Sequence, residues 1–289
     1  DKLQGMSEML QKMGITVNAY LPAADLQTIK KAPQAALNIV RRKKWALAME
    51  QRFGTPFLHV ADMQEWHGIE GISDLYRQIG KMLGCEDAVE HVLQEEYERV
   101  AARYQELRAE FAKYKFCLIA HGIAYLPDAL RVYQQDYGLP IEKICIIMNP
   151  SYQAETGLDD AMMQRFKDRI ELAKAEYGCE AQVLLEPSED ALREAAQSCD
   201  FVICNGHPRY AALDVPVLYN LFDRSVWNYQ GFVDIMEEVW QMLQQPQRTG
   251  SSLLLSKLAY DPVFYPMREA DKDSKAAREL YSRIWRQRK

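Results

Sequence analysis

Two His-Gly pairs, His67-Gly68 and His121-Gly122, join a side chain that exchanges protons near neutral pH to a residue that leaves room for a ligand. His121-Gly122 comes directly after an apolar run at Phe116–Ala120, and His67-Gly68 comes shortly before a helical pattern that starts at Ile72. His67 can serve as an acid, a base or a ligand. At His121-Gly122, the glycine lets the backbone approach a ligand, and nearby helix N-termini favour anions. The alternatives are a tight turn with a half-exposed imidazole at His121, and a turn leading into a helix with a surface imidazole at His67.

Cationic and polar residues follow two further apolar runs. The segment Arg41-Arg42-Lys43-Lys44 comes after Ala35–Val40, and four cations there are suited to holding an anionic ligand or partner. The alternative is a solvated first helical turn, although cations at that end of a helix oppose its dipole. Asn205, His207 and Arg209 follow another apolar run, where they either face a ligand or only complete the fold.

The elements that must position these residues form a β-α-β-loop-α pattern from Ala32 to Gly84. Apolar bursts at Ala35–Val40 and Pro56–Val60 each lead to an amphipathic segment, which is typical of a parallel sheet covered by helices. Ligands of such sheets bind beyond the carboxyl ends of the strands. Upstream, the alternating residues of Ile15–Tyr20 predict one more strand.

A second parallel sheet of five strands is predicted downstream. Its strands are expected at Phe116–Ala120, Lys143–Met148, Gln182–Leu185, Phe201–Cys204 and Val215–Leu218, with helices at Leu126–Tyr137, Leu158–Tyr177, Glu189–Gln197 and Tyr229–Leu243. An apolar stripe at helical spacing predicts one long helix over Glu86–Lys115 that links the two sheets.

We therefore predict an α/β chain with two Rossmann-like parallel-sheet domains, a long linking helix and a helical C-terminal tail. The expected domains are residues 1–114, ending in the linker helix, residues 115–245, and a C-terminal extension at 246–289. A cleft between two such sheets is a common ligand site. The residues expected to line it are Arg41, Arg42, His67, Gly68, His121, Gly122, Asn205, His207, Arg209 and Trp227.

Composition narrows the classes of function. The chain has 289 residues, 48% of them hydrophobic and 26% charged, which is ordinary for a globular protein. A net charge of −6 argues against a general nucleic-acid binder, and no apolar run reaches the length of roughly 18 residues that a membrane span needs. We expect a cytoplasmic protein. Its six cysteines contain no CxxC, which favours buried, reduced thiols over an iron–sulfur or zinc site within the chain.

Four blocks of sequence resemble one family in order and spacing. They are "EMLQKMGITVNAYLPAADLQTIKKAPQA", "ALNIV" leading through "EQRFGTPF" to "HGIEG", "CDFVICNGHPRYAALDVPVLYNLFDR", and "YQGFVDIMEEVWQML". They resemble the nitrogenase component 1-type proteins. These include the chains of the molybdenum-iron protein, their cofactor-assembly scaffold paralogues, and the subunits of light-independent protochlorophyllide reductase. The resemblance covers most of the chain, and the family's N-terminal domain has no counterpart in it.

The resemblance implies an oxidoreductase subunit, but three positions depart from the nitrogenase α chain. Arg42 falls at the cysteine that ligates the large metal cluster, and Trp227 at the histidine that binds molybdenum. The run AHGIA, with Ile123 and Ala124, replaces a Gly-Gly-Ser-Arg run that packs against that cluster. The expected function is therefore that of a paralogue or cofactor-assembly scaffold rather than a true dinitrogen reductase. No cofactor is expected within this chain, although an iron–sulfur cluster is possible in the full-length protein.

The resemblance also implies partners, and two other classes stay open. The implied partners are a paralogous or identical subunit, in a dimer or tetramer, and an ATP-dependent iron–sulfur reductase. We expect the chain to be a fragment of a longer protein and inactive alone. The main alternative is a non-redox module that binds a ligand, a metal or a tetrapyrrole between two lobes. A nucleotide-sugar transferase is a third class, disfavoured because the chain has no GxGxxG motif and no P-loop.

Overall fold

The fold consists of helices and two parallel sheets, as the sequence predicts. The computed structural model describes residues 4–21, 25–60, 65–122, 126–148, 160–204, 210, 213–219 and 226–244. It contains two compact units: the first is Asp1–Glu106 with Phe222–Glu237, and the second is Leu107–Leu221 with Glu238–Lys289. The domain limits at residues 114 and 245 stay predictions, and the predicted terminal helix lies outside the described residues.

The first unit carries a small parallel sheet. Strands β1 (Asn38–Val40) and β2 (Phe57–His59) pair in parallel, with Asn38 opposite Phe57. Around them the chain forms helices α1 (Gln4–Lys12), α2 (Leu26–Lys31), α3 (Lys43–Phe53) and α4 (Gly68–Leu83), and a short 3-10 turn at Ala32–Gln34. Gly54 ends α3 in the left-handed conformation at φ 74°, which a residue with a Cβ rarely adopts.

The long helix α5 runs over Glu86–Phe111, as the apolar stripe predicts. Seven apolar residues of that stripe are buried along its length: Val89, Val92, Leu93, Val100, Tyr104, Leu107 and Phe111. The chain passes from the first unit to the second within this helix, after Glu106. The last described helix, α9 (Tyr229–Gln244), likewise begins in the first unit and ends in the second.

The second unit is built on a five-stranded parallel sheet. Its strands are β3 (Phe116–His121), β4 (Ile141–Ile147), β5 (Gln182–Leu185), β6 (Phe201–Cys204) and β7 (Val217–Tyr219). Their order across the sheet is β5-β4-β3-β6-β7. The intervening helices are α6 (Leu126–Leu130), α7 (Asp160–Glu176) and α8 (Glu189–Gln197). The predicted number of strands is confirmed. Helix α8 begins at an N-cap, where the Ser188 hydroxyl accepts a hydrogen bond from the Ala191 N–H at 3.2 Å.

Two elements differ from the prediction. Residues Ile15–Tyr20 are irregular rather than a strand. Within the described residues β1 pairs with β2 alone, so Ile15–Tyr20 lacks the neighbouring strand that a strand requires. The predicted helix Leu126–Tyr137 is α-helical only to Leu130 and continues as a π-helix over Arg131–Asp136. This winding suits a buried ion pair between Arg131 and Asp136, at 3.2 Å, because residues five apart face one another in a π-helix.

Candidate functional site

The carboxyl edge of the five-stranded sheet is the best-formed candidate site in the described residues. From β3 the chain moves outward through β4 to β5, then returns to β6 on the opposite side of β3 and continues to β7. The strand order therefore reverses between β3 and β6. In open parallel sheets, ligands bind outside the carboxyl ends of the strands at such a reversal.

His121 and Tyr210 meet at this reversal. His121 is the last residue of β3, and Tyr210 lies between β6 and β7. The Tyr210 hydroxyl lies 2.6 Å from Nε2 of His121, so the two side chains are hydrogen-bonded, and the imidazole tautomer decides which atom donates. Tyr210 is fully buried, whereas His121 is half-buried. A phenol held against an imidazole in this way can accept, donate or pass on a proton.

Next to His121, the backbone leaves open space. Gly122 has φ 83°, and a Cβ built there would meet no heavy atom within 4 Å. Its N–H donates a hydrogen bond to the Ile147 carbonyl at 2.9 Å, which fastens the end of β3 to the end of β4. Glycine is therefore favoured here because the backbone is left-handed, and not because a neighbouring atom would clash with a Cβ.

A carboxylate lies at the same edge, after β5, which is two strands from β3. Glu186 follows β5 with φ 51°, a conformation that is uncommon for a residue with a side chain and often marks a functional site. Its Oε1 accepts a hydrogen bond from the Met148 N–H, just beyond β4, and its own N–H donates to the Ile146 carbonyl at 2.9 Å. The carboxyl edge thus offers an imidazole, a phenol and a carboxylate, a set suited to hydrogen bonding and proton transfer.

The candidates of the first unit fall into two groups, of which the first is exposed. Arg41 and Arg42 follow β1 with both guanidinium groups at the surface, and Arg42 is the N-cap residue of α3 without a capping side-chain hydrogen bond. The cations are placed at the carboxyl end of a parallel strand, as expected. No acidic partner within 4.0 Å accompanies either guanidinium in the part of the chain that the structure describes.

The second group is buried in the first unit. His67 is the N-cap residue of α4, so it lies at a turn leading into a helix, but its imidazole is only 1% exposed and is not at the surface. The ring meets Phe232 of α9 edge-on, with the centroids 5.6 Å apart. Gly68 is also buried, at φ 84°. Trp227 is 5% exposed, and its carbonyl accepts a hydrogen bond from the Tyr76 hydroxyl at 2.5 Å.

The sequence after β6 contains three expected residues and one, Tyr210, that the sequence did not predict. Asn205, His207 and Arg209 lie outside the described residues. Tyr210, the next residue along the chain, is the one whose hydroxyl reaches His121. An aromatic residue with a polar end, shortly after a strand at the reversal, is the signal by which Tyr210 could have been found.

The cysteines are reduced and mostly buried, as predicted. All six are free thiols, and all but Cys85 are buried. Cys117 on β3 and Cys145 on β4 have their sulfur atoms 4.0 Å apart. Hydrogen bonding to Cys145 and burial raise the pKa of the Cys117 thiol, and burial raises that of Cys204. Such thiols are inert at neutral pH.

Within the described residues, no three histidine, cysteine or carboxylate side chains are grouped to hold a metal ion, and no helix has the length and apolarity to span a bilayer.

Similarity to solved structures is limited to the fold. The chain is similar to the structure "Nitrogenase Cp1 at pH 5", with 17% identity, a TM-score of 0.55, and coverage of 85% of this chain and 54% of that one. For "Nitrogenase Cp1 at pH 6.5" the identity is 15%, the TM-score 0.53, and the coverage 85% and 56%. This chain therefore spans about half the length of these solved chains. No curated protein matches it in sequence.

The family is shown by sequence. Residues 1–244 match the family model described as Nitrogenase component 1 type Oxidoreductase, which is most of the 289-residue chain. The order of elements, the two parallel sheets and this match agree with one another. The chain belongs to the nitrogenase component 1-type oxidoreductase family.

Proposed function

We propose that this chain is part of an oxidoreductase subunit of the nitrogenase component 1 type that acts on a substrate other than dinitrogen, or that serves as a cofactor-assembly scaffold. The observation that carries the proposal is the family match over residues 1–244 together with the side chains at two positions, Arg42 and Trp227. By resemblance to the nitrogenase α chain, these are the positions of the two protein ligands of the large cluster.

Neither side chain fits that cluster. A guanidinium stays protonated in proteins and has no free lone pair for iron, and the indole nitrogen is a donor only. Arg42 is also directed to the surface, where its charge is solvated. Trp227 is packed in the first unit with its carbonyl already hydrogen-bonded to Tyr76. A molybdenum-iron cluster of the nitrogenase type is therefore not part of the proposed chemistry.

The remaining expectations from the resemblance belong to the proposal. Any iron–sulfur cluster would be held by other residues of the full-length protein, because Arg42 and Trp227 supply no ligand for iron. An ATP-dependent iron–sulfur reductase would supply the electrons, and a paralogous or identical subunit would complete the assembly, in the cytoplasm. This chain alone would have no turnover, because neither Arg42 nor Trp227 can ligate a cluster.

Anaerobic purification of the full-length protein tests the proposal. Iron quantitation and electron paramagnetic resonance should reveal an iron–sulfur signal. The variant Arg42→Ala should retain the same iron content and the same spectrum, with Lys44→Ala as the matched control of charge. A colourless, iron-free protein would contradict the oxidoreductase. Loss of iron on Arg42→Ala alone, or reduction of dinitrogen by the purified protein, would contradict the proposed departure from nitrogenase.

A non-redox ligand-binding module is the second candidate, and the hydrogen-bonded pair of His121 and Tyr210 favours it. The pair lies where open parallel sheets bind ligands, and it needs no metal to recognise one. Thermal-shift measurements with tetrapyrroles, inorganic anions and divalent metals separate the two candidates. A stabilising ligand that loses its effect in Tyr210→Phe, in a protein without reductase-dependent turnover, would favour the module.

A further inference from the structure

The length of the hydrogen bond between Tyr210 and His121 indicates which side chain donates. The phenol oxygen and Nε2 of the imidazole are 2.6 Å apart. A hydrogen bond from an N–H to an oxygen ordinarily spans roughly 2.7–3.2 Å, whereas an O–H donor lies about 2.5–3.0 Å from its acceptor. The separation is therefore too short for an imidazole N–H that donates to the phenol. It fits a phenol that donates to Nε2.

The acid strengths of the two groups agree with this direction. A phenol ordinarily loses its proton near about pH 10 and an imidazolium near about pH 6.5, so between these values the phenol keeps its proton. A neutral imidazole has one N–H and one lone pair. Because the Nε2 lone pair of His121 accepts the Tyr210 hydroxyl, the single ring proton of neutral His121 lies on Nδ1.

Packing fixes the phenol more firmly than the imidazole. Tyr210 is fully buried and belongs to the apolar core of the second unit, together with Ile119 and Val202. Its ring meets the His121 ring at 61°, with the centroids 5.8 Å apart. His121 itself is half-buried, and Gly122 beside it borders open space. The buried phenol can therefore hold the imidazole in place, while part of the imidazole stays within reach of a ligand.

An imidazole in this state favours one kind of ligand over another. A metal ion binds the lone pair of a neutral imidazole. At His121 the Nε2 lone pair accepts a proton from Tyr210, and Nδ1 carries the ring proton, so neither nitrogen offers a lone pair to a metal. The Nδ1–H is instead a donor, and carbonyl and carboxylate oxygens are acceptors for it.

We propose that Tyr210 is a positioning residue: it holds His121 as the Nδ1–H tautomer, so that this edge of the sheet binds a ligand through a carbonyl or carboxylate oxygen rather than a metal ion. Tyr210 acts through His121 and does not touch the ligand. The proposal rests on the ligand-binding module, the second candidate function, and narrows the ligands of that module. Its test requires neither iron nor turnover, so the proposal and the oxidoreductase can fail independently.

Nitrogen-15 NMR of the full-length protein, labelled at histidine, tests the tautomer. At about pH 8 an imidazole is ordinarily neutral, and the His121 signals are assigned by their loss in His121→Gln. In the natural protein, Nδ1 of His121 should carry the proton. In Tyr210→Phe, which keeps the buried ring, a substantial share of the proton should move to Nε2. Tyr97→Phe is the matched control and should leave the tautomer of His121 unchanged.

Copper(II), a paramagnetic ion that broadens the signals of any imidazole it binds, tests the exclusion of metal ions. His91 is the internal control, because its side chain is 75% exposed on α5 and should be broadened in every variant. His121 should require about fivefold more copper in the natural protein than in Tyr210→Phe, because the metal must first displace one hydrogen bond.

Acetate and acetamide test the class of ligand, as an ionised and a neutral source of an acceptor oxygen. At least one of them should shift the His121 signals saturably and leave the His91 signals in place. The shift should weaken in Tyr210→Phe and persist in Tyr97→Phe. A response to acetate alone identifies a carboxylate as the group that is bound, and a response to acetamide identifies a neutral carbonyl.

Three results would overturn the proposal. They are a ring proton of His121 on Nε2 in the natural protein, equal broadening of His121 by copper with and without the Tyr210 hydroxyl, and the absence of a saturable shift with both probes. Tyr210→Phe should keep the circular dichroism of the natural protein, since the aromatic ring is retained. If that variant did not fold, the tautomer of the natural protein and its copper response relative to His91 would still decide the proposal.

Discussion

The two parallel sheets of this chain share a strand–helix pattern but differ in how much of it is buried. The five-stranded sheet is covered: every residue of β6 is buried, as are four of the six in β3. In the two-stranded sheet, only Leu58 is buried. The comparison teaches that a β-α-β pattern specifies a parallel sheet but not the completeness of its packing. The well-covered sheet can stabilise a site by itself, whereas most of the small sheet is without cover in the described residues.

The largest expected difference between the sheets is in the cost of deleting a core side chain. Ile144 on β4 is fully buried, so Ile144→Ala should lower the free energy of unfolding by about 2–5 kcal/mol. Ile39→Ala on β1, where the side chain is only half-buried, should cost clearly less. Urea unfolding measures the two costs, and hydrogen exchange assigns each to its unit. Equal costs would break the comparison.

A smaller effect is expected at the candidate site. Tyr210→Phe removes a buried hydroxyl that is hydrogen-bonded to His121, so it should lower the free energy of unfolding by about 1 kcal/mol. Tyr97→Phe is the matched control, since the Tyr97 ring meets Tyr104 and Tyr229 edge-on and its hydroxyl makes no hydrogen bond to the residues that the structure describes. Thermal unfolding measures both. If the two variants were equally stable, the pair of His121 and Tyr210 would contribute nothing to the fold.

The next effect depends on pH and belongs to the first unit. Hydrogen bonds from Arg103 hold the pKa of the Glu237 carboxyl below its usual value. A carboxyl whose pKa is lowered by folding adds stability above its unfolded-state pKa, and that stability is lost as the pH falls through its folded-state pKa. Glu237→Gln should therefore lower the melting temperature slightly at pH 7 and not at strongly acidic pH. A constant difference over that range would contradict this assignment.

The smallest effect is expected on helix α3, where Ala46 is the only buried residue. Trp45→Ser removes a side chain that is 63% exposed, so the free energy of unfolding should change by less than about 0.5 kcal/mol. Ala46→Asp is its matched contrast, because Ala46 is 1% exposed and an unpaired carboxylate there would be buried. Urea unfolding compares the two. A large loss of stability with Trp45→Ser would mean that the indole packs within its own chain.

Local patterns determined most of the fold from the sequence. Apolar bursts placed the strands of both sheets, because buried parallel strands are continuous apolar runs. The apolar stripe of α5 likewise predicted a helix, since helical spacing is a short-range effect. The family resemblance also came from the sequence. By contrast, the alternation of Ile15–Tyr20 predicted a strand that does not form, because a strand requires a partner and alternation alone does not supply one.

Only the tertiary structure decided which side chains meet. His121 and Tyr210 are 89 residues apart in sequence and are joined because β3 and β6 are neighbours in the sheet. The winding of Arg131–Asp136 as a π-helix and the burial of His67 also depend on packing that no local pattern encodes. The sequence by itself determined the types of element and the family. The structure decided the site and the incomplete burial of the small sheet, because strand order and burial arise from contacts between residues far apart in the chain.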